Sequence, residues 1–175
     1  MDIPRRLSVT WLRQIPARLY VPLAALDLTS GMPQVISQAV PYPTVQRLRI
    51  LIADDQPMIR KQVRLILERC HPRFDVCGEA YDGADAIAKA HQLKPDVVVL
   101  NVSMPVLNGL EAARKIKFEI PGTAIVILSS NADKYFVAEA RKAGAHAFVA
   151  KSRAAEALVE AIEAAFMNQD FVLVD

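Results

Sequence analysis

From Arg47 onward, short runs of β-forming residues alternate with stretches of helical periodicity, five times in succession. Alternation of this kind calls for parallel strands joined by helical crossovers, with helices covering both faces of one sheet. Leu48–Ala53 (LRILIA) is the first expected strand and Phe74–Glu79 a second, edge-like one. Asp96–Leu100 (DVVVL) and Ala124–Leu128 (AIVIL) are continuously apolar, the mark of strands buried between two layers. Ala147–Ala150 is a short fifth strand. The intervening helices are expected over Pro57–Cys70, from an Asp82 cap to about Leu93, over Gly109–Phe118, over Asp133–Ala143, and over Ser152–Met167 with Ser152 as N-cap. In the first of them Ile59, Val63, Ile66 and Leu67 recur at helical spacing, and Arg60, Lys61, Arg64 and Glu68 take the outer face.

The first 46 residues lack this pattern. They hold six of the eleven prolines, and four of the 21 basic side chains (Arg5, Arg6, Arg13, Arg18) against two of the 19 acidic ones. The remainder of the chain is charge-balanced, which argues against nucleic-acid binding by bulk charge. Arg13, Pro16, Arg18 and Pro22 interrupt every apolar run that could serve as an export signal or a membrane span. Residues 1–46 therefore read as an unstructured extension or as sequence upstream of the true start. Cys70 and Cys77 lack metal-type spacing and read as core residues. His71, His91 and His146 lack ligand spacing, and His91 and His146 read as surface or helix-end residues. No glycine-rich phosphate loop occurs.

In a doubly wound sheet, functional groups gather beyond the carboxyl ends of the strands. Asp54 and Asp55 follow the first strand, Asn101 the third, Ser129 closes the fourth and Lys151 the fifth. Paired carboxylates suit a hard divalent cation such as Mg²⁺. A hydroxyl and an ammonium suit the oxygens of a phosphoryl group.

Together with Pro95–Gly109 (PDVVVLNVSMPVLNG) and Gly144–Ser152 (GAHAFVAKS), these residues resemble the receiver domain of two-component response regulators. The details are nearest to receivers of LuxR-type regulators, because Ser152 rather than proline follows Lys151. The resemblance covers residues 47–170 and implies a flavodoxin-like, five-stranded parallel sheet of order 2-1-3-4-5. It implies Mg²⁺ on Asp54, Asp55 and the backbone carbonyl of Ser103, with Asn101 contributing weakly. Ser129 takes the position of the switch hydroxyl, Phe148 that of the switch aromatic, and Lys151 that of the phosphoryl-contacting lysine. Met104-Pro105 resembles the loop after the acceptor.

One position departs from the family. Asn101 stands where the phosphoacceptor aspartate is expected, and a carboxamide has no anionic oxygen to attack phosphorus. Three explanations stay open: a natural, phosphorylation-independent receiver, a substituted acceptor in an ordinary Mg²⁺-dependent one, or phosphate accepted by Ser103 or Asp54. Residues 171–175 read as a tail with no output domain. The expected module is cytoplasmic and not an enzyme, and it acts through a histidine kinase or another signalling protein. It makes no direct nucleic-acid contact. Its expected output or homodimer face is the fourth helix, fifth strand and fifth helix, near Lys134, Tyr135, Glu139, Lys142 and Arg153.

Overall fold

The computed structural model describes residues 47–168 and 170–175; the expected N-terminal extension and the side chain of Cys70 lie outside the described residues. Strands β1 (Leu48–Ala53), β2 (Phe74–Ala80), β3 (Val97–Asn101), β4 (Ala124–Ser129), β5 (Ala147–Ala150) and β6 (Val172–Val174) form one parallel sheet of order β2-β1-β3-β4-β5-β6. Helices α1 (Pro57–Cys70), α2 (Gly83–Leu93), α3 (Gly109–Glu119), α4 (Lys134–Lys142) and α5 (Ala154–Phe166) are the crossovers.

The period-two alternation of the strands sorts their side chains into two cores. Ile50, Ile52, Val97, Val99, Val126, Leu128 and Val149 meet Val63 and Leu67 of α1 and Leu158 and Ile162 of α5. Leu51, Val98, Leu100, Ile125, Ile127 and Phe148 face α2, α3 and α4, which present Ala86, Ala90, Ala113, Ile116 and Ala140. Alanines at these positions let three helices lie close against one sheet face. The central strands β3 and β4 are buried along their whole length, as their unbroken apolar runs require.

Among the described residues the sheet has six strands, not five. After α5 the chain turns through Asn168, whose φ of 53° is one that asparagine tolerates better than most residues. Val172 then donates its N–H to the His146 carbonyl at 3.0 Å, and Val172–Val174 runs alongside Ala147–Val149. Phe171, just before the strand, packs against the α2–α4 core and lies under the Arg141 guanidinium, 4.6 Å from its ring centroid. The segment expected to be a tail thus covers the free edge of β5.

Two smaller expectations also change. Asp82 caps α2 by accepting the Asp85 N–H at 2.7 Å, as expected, but Ser152 does not cap α5. Lys151–Arg153 forms a 3-10 turn, so Arg153 occupies the cap position. Cys77 is half-buried rather than in the core. It is the extra residue of a β-bulge in the edge strand β2, between Val76 paired with Ile50 and Gly78 paired with Leu51.

Candidate functional site

The carboxyl ends of β1, β3 and β5 bring four of the candidate side chains into contact. Asp54 is buried, and its Oδ1 accepts the Gln56 N–H at 2.9 Å. Its Oδ2 lies 2.6 Å from Lys151 Nζ, an ion pair whose two side chains are 3% and 13% exposed. The ammonium sits off the hydrogen-bond direction, so this Oδ2 has charge contact without an aligned donor.

Asn101 joins the other half of the site. It is buried at the end of β3, and its Nδ2 donates to Asp55 Oδ1 at 3.0 Å and to the Ser103 carbonyl at 2.7 Å. Both neighbours are pure acceptors, which fixes the amide with its nitrogen toward them. Gly109, at the start of α3, lies directly beneath. It donates its N–H to the Val102 carbonyl at 2.9 Å, and a Cβ there would collide with the Asn101 carbonyl oxygen. Only glycine permits this approach.

Ser129 ends β4 next to the pocket, paired in register with Ala150. Its Oγ accepts the Asn131 N–H at 3.1 Å; among the described residues no hydrogen bond links it to Asn101 or Lys151. Phe148 is fully buried in the α2–α4 core. Met104 and Pro105 lead into Val106, which has a φ of 64° and is 84% exposed. A β-branched residue in that left-handed conformation is strained.

Arg60 is a member of the site that its place on the outer helix face concealed. Its guanidinium donates to the Asp54 backbone carbonyl at 2.7 Å and to Glu79 at 3.0 Å, while Arg64 approaches Glu79 at 2.8 Å. Burial pushes the Glu79 carboxyl up, but hydrogen bonds and charge from Arg64 and Arg60 outweigh it and hold the group below the usual carboxylate range. The one-turn spacing of Arg60 and Arg64 opposite a glutamate in the next strand was the available signal. The histidines serve other ends. His71 contacts Glu163 at 3.0 Å and stacks on Phe74, and His91 contacts Glu119 at 2.6 Å. His146 is half-buried rather than on the surface.

A divalent cation needs open oxygen ligands. Here Asp55 Oδ1 and the Ser103 carbonyl already take the two hydrogens of one amide, and Asp54 is engaged by Gln56 and Lys151. As arranged, this donor set does not fit a cation.

Residues 50–163 match the family described as the response regulator receiver domain. The chain belongs to that family. Receivers interact with histidine kinases and generally bind Mg²⁺ at the acceptor site. This receiver is 41% identical over 68% of its length to the transcriptional regulatory protein YxjL of Bacillus subtilis, covering 54% of that protein. It is 35% identical to the chemotaxis protein CheY of Thermotoga maritima, covering 65% of this chain and 93% of that one. Among solved structures, a two-component response regulator of the LuxR family from Aurantimonas sp. SI85-9A1 superimposes with a TM-score of 0.68 at 33% identity. That match covers 71% of this chain and 89% of the other. The chain spans about half the length of the curated transcriptional regulators it matches. Among the described residues no helix is long and apolar enough to cross a membrane.

Proposed function

We propose that this receiver transmits its signal through protein contact without aspartyl phosphorylation. The observation that carries the reading is Asn101, at the carboxyl end of β3 and within hydrogen-bond distance of Asp55 and the Ser103 carbonyl. In the family resemblance this is the phosphoacceptor position. Attack on phosphorus requires an anionic oxygen, and an amide oxygen is neutral with its nitrogen lone pair delocalised. On this reading the module has no catalytic activity of its own, and any hold on Mg²⁺ is weak because one ligand charge is missing.

The partner is a histidine kinase or another signalling protein, met in the cytoplasm. The surface of α4 and α5 supplies the contact, where Tyr135 is 69% exposed and Glu139 is held by Lys142 and Arg114 at 2.9 and 2.8 Å. The described region itself offers nucleic acid no basic excess, whatever the longer transcriptional relatives do.

Incubation with Mg²⁺ and acetyl phosphate, followed by intact-mass measurement, tests the reading. The protein stays unlabelled, and Asn101→Asp gains one phosphoryl group. A stable adduct on the unaltered protein overturns the proposal. Mapping it to Ser103 or Asp54 would identify a Mg²⁺-dependent phosphotransfer receiver with a displaced acceptor.

A further inference from the structure

We infer that the Asn101 side-chain amide occupies the cation's place in this pocket and that, with Lys151, it completes the site without metal. The inference rests on the reading that this pocket corresponds to the metal and phosphoryl pocket of receivers. Three observations carry it.

The first is geometric. The two hydrogens of Asn101 Nδ2 diverge, one to Asp55 Oδ1 at 3.0 Å and one to the Ser103 carbonyl at 2.7 Å. These are two of the oxygens that the resemblance assigns to Mg²⁺. The amide nitrogen therefore lies between them as a cation would, donating positive hydrogen density to both. The opposite rotamer would set its oxygen against a carboxylate and a carbonyl, three acceptors with no donor among them.

The second is electrostatic. Asp54 and Asp55 place two negative charges at one strand end, and like charges in such a site need a counter-charge. Lys151 supplies it at 2.6 Å from Asp54. Each carboxylate thus has its own internal partner: the ammonium for Asp54 and the amide for Asp55. A cation entering the pocket would have to displace both.

The third is burial. Asn101 and Asp54 are 5% and 2% exposed. Asp55 and Ser103 are exposed, so water can reach their oxygens, but the buried Asn101 donor and the buried Asp54 carboxylate are costly to leave unpaired. An aspartate at position 101 could make neither bond. It would add a third carboxylate and create the need for metal that asparagine removes.

The consequence reaches beyond the pocket. The amide ties the loop after β3 to the strand end through Ser103, and Gly109 packs under the same residue. The Ser103–Asn108 loop, with Val106 at its exposed tip, is therefore held in one arrangement regardless of cation supply. A partner that reads this loop sees a permanently formed surface.

The test is NMR of the Asn101 side-chain amide in protein labelled with ¹⁵N-asparagine, assigned by its loss in Asn101→Asp. Both Nδ2 protons should exchange more slowly than those of exposed asparagines and keep their shifts in millimolar MgCl₂. Asp55→Asn keeps the volume but removes the charged acceptor, and should speed exchange on the order of tenfold. In parallel, the thermal midpoint of the unaltered protein should be the same in EDTA and MgCl₂. That of Asn101→Asp should fall in EDTA and recover with MgCl₂. Exchange as fast as in exposed asparagines, or amide shifts that titrate with Mg²⁺ below millimolar, would overturn the inference. A protected amide combined with an Asn101→Asp protein that neither binds Mg²⁺ nor accepts phosphate would instead defeat the functional reading while leaving the bridge in place.

Discussion

Lys151 reaches from the end of β5 across β4 and β3 to Asp54 at the end of β1, closing the pocket with an ion pair of 2.6 Å. Two strands that share no direct hydrogen-bond ladder, β1 and β5, are thereby linked through one side chain. Because Asp54 is almost wholly buried, removal of the ammonium leaves an uncompensated charge. Lys151→Ala should lose about 3 kcal/mol, the lower end for breaking a buried pair, in urea denaturation. The same variant should bind Mn²⁺ or Mg²⁺ more tightly by calorimetry, since one competitor for Asp54 is gone. Equal affinities would mean that the lysine leaves the pocket without cost.

Val106 carries backbone strain at the centre of a tight turn, in which Leu107 donates its N–H to the Pro105 carbonyl at 2.6 Å. Its φ of 64° suits glycine or asparagine, and its side chain is 84% exposed, so little packing compensates. Val106→Asn should stabilise the fold by about 1 kcal/mol, the scale of the left-handed penalty for an ordinary side chain. A lower midpoint in chemical denaturation would show that the exposed valine makes a stabilising contact.

His146 should make the protein acid-sensitive. Its Nδ1 accepts the Ile125 N–H at 3.1 Å, and Lys117 Nζ lies 3.3 Å from Nε2. Burial first, and then the Lys117 charge, hold its pKa below the ordinary 6.5. A base with a depressed folded pKa binds fewer protons folded than unfolded. Its contribution is therefore complete above pH 6.5 and is lost as pH falls from there through the folded value. Lys117→Met should raise the imidazole pKa toward its ordinary value in an NMR titration and flatten that part of the stability profile.

The sixth strand should matter to stability. Phe171→Ala removes the ring under Arg141 and part of the packing over α4. A loss of about 1–2 kcal/mol is expected for a half-buried aromatic, read as a lower thermal midpoint. No change would mean that β6 is held by its backbone pairing alone.

Most of this architecture was legible because burial leaves a strong pattern. Asp96–Leu100 and Ala124–Leu128 have no polar break after their first residues, and only strands covered on both faces can be so apolar. Asp82 was readable as a cap because its carboxylate accepts a helix-end N–H from just that position. β6 was not readable. Three residues are too few to show a period, and Phe171 and Arg141 are brought together by the fold rather than by spacing. Ser152 misled for a related reason: its residue type suits a cap, but the chain first makes the 3-10 turn of Lys151–Arg153. At the pocket, the strand ends announced Asp54, Asp55, Asn101 and Lys151. With asparagine at 101, a reach of Lys151 toward Asp54 or Asp55 could be read; which of the two it takes, and the Asn101–Asp55 bond, could not, because those contacts depend on rotamers and on the arginine and glutamine that fix Asp54 from behind.

Among the described residues, the outermost backbone row on the β5 side of the sheet belongs to Val172–Val174. That short apolar stretch is bracketed by the exposed carboxylates of Asp170 and Asp175. Were two copies to join antiparallel along this edge, Asp170 of each would approach Asp175 of the other. Like charges facing one another across strands oppose pairing, and charged flanks are a common guard on sticky strands. The strand that seals β5 thus also brings its own gatekeepers against pairing with another chain.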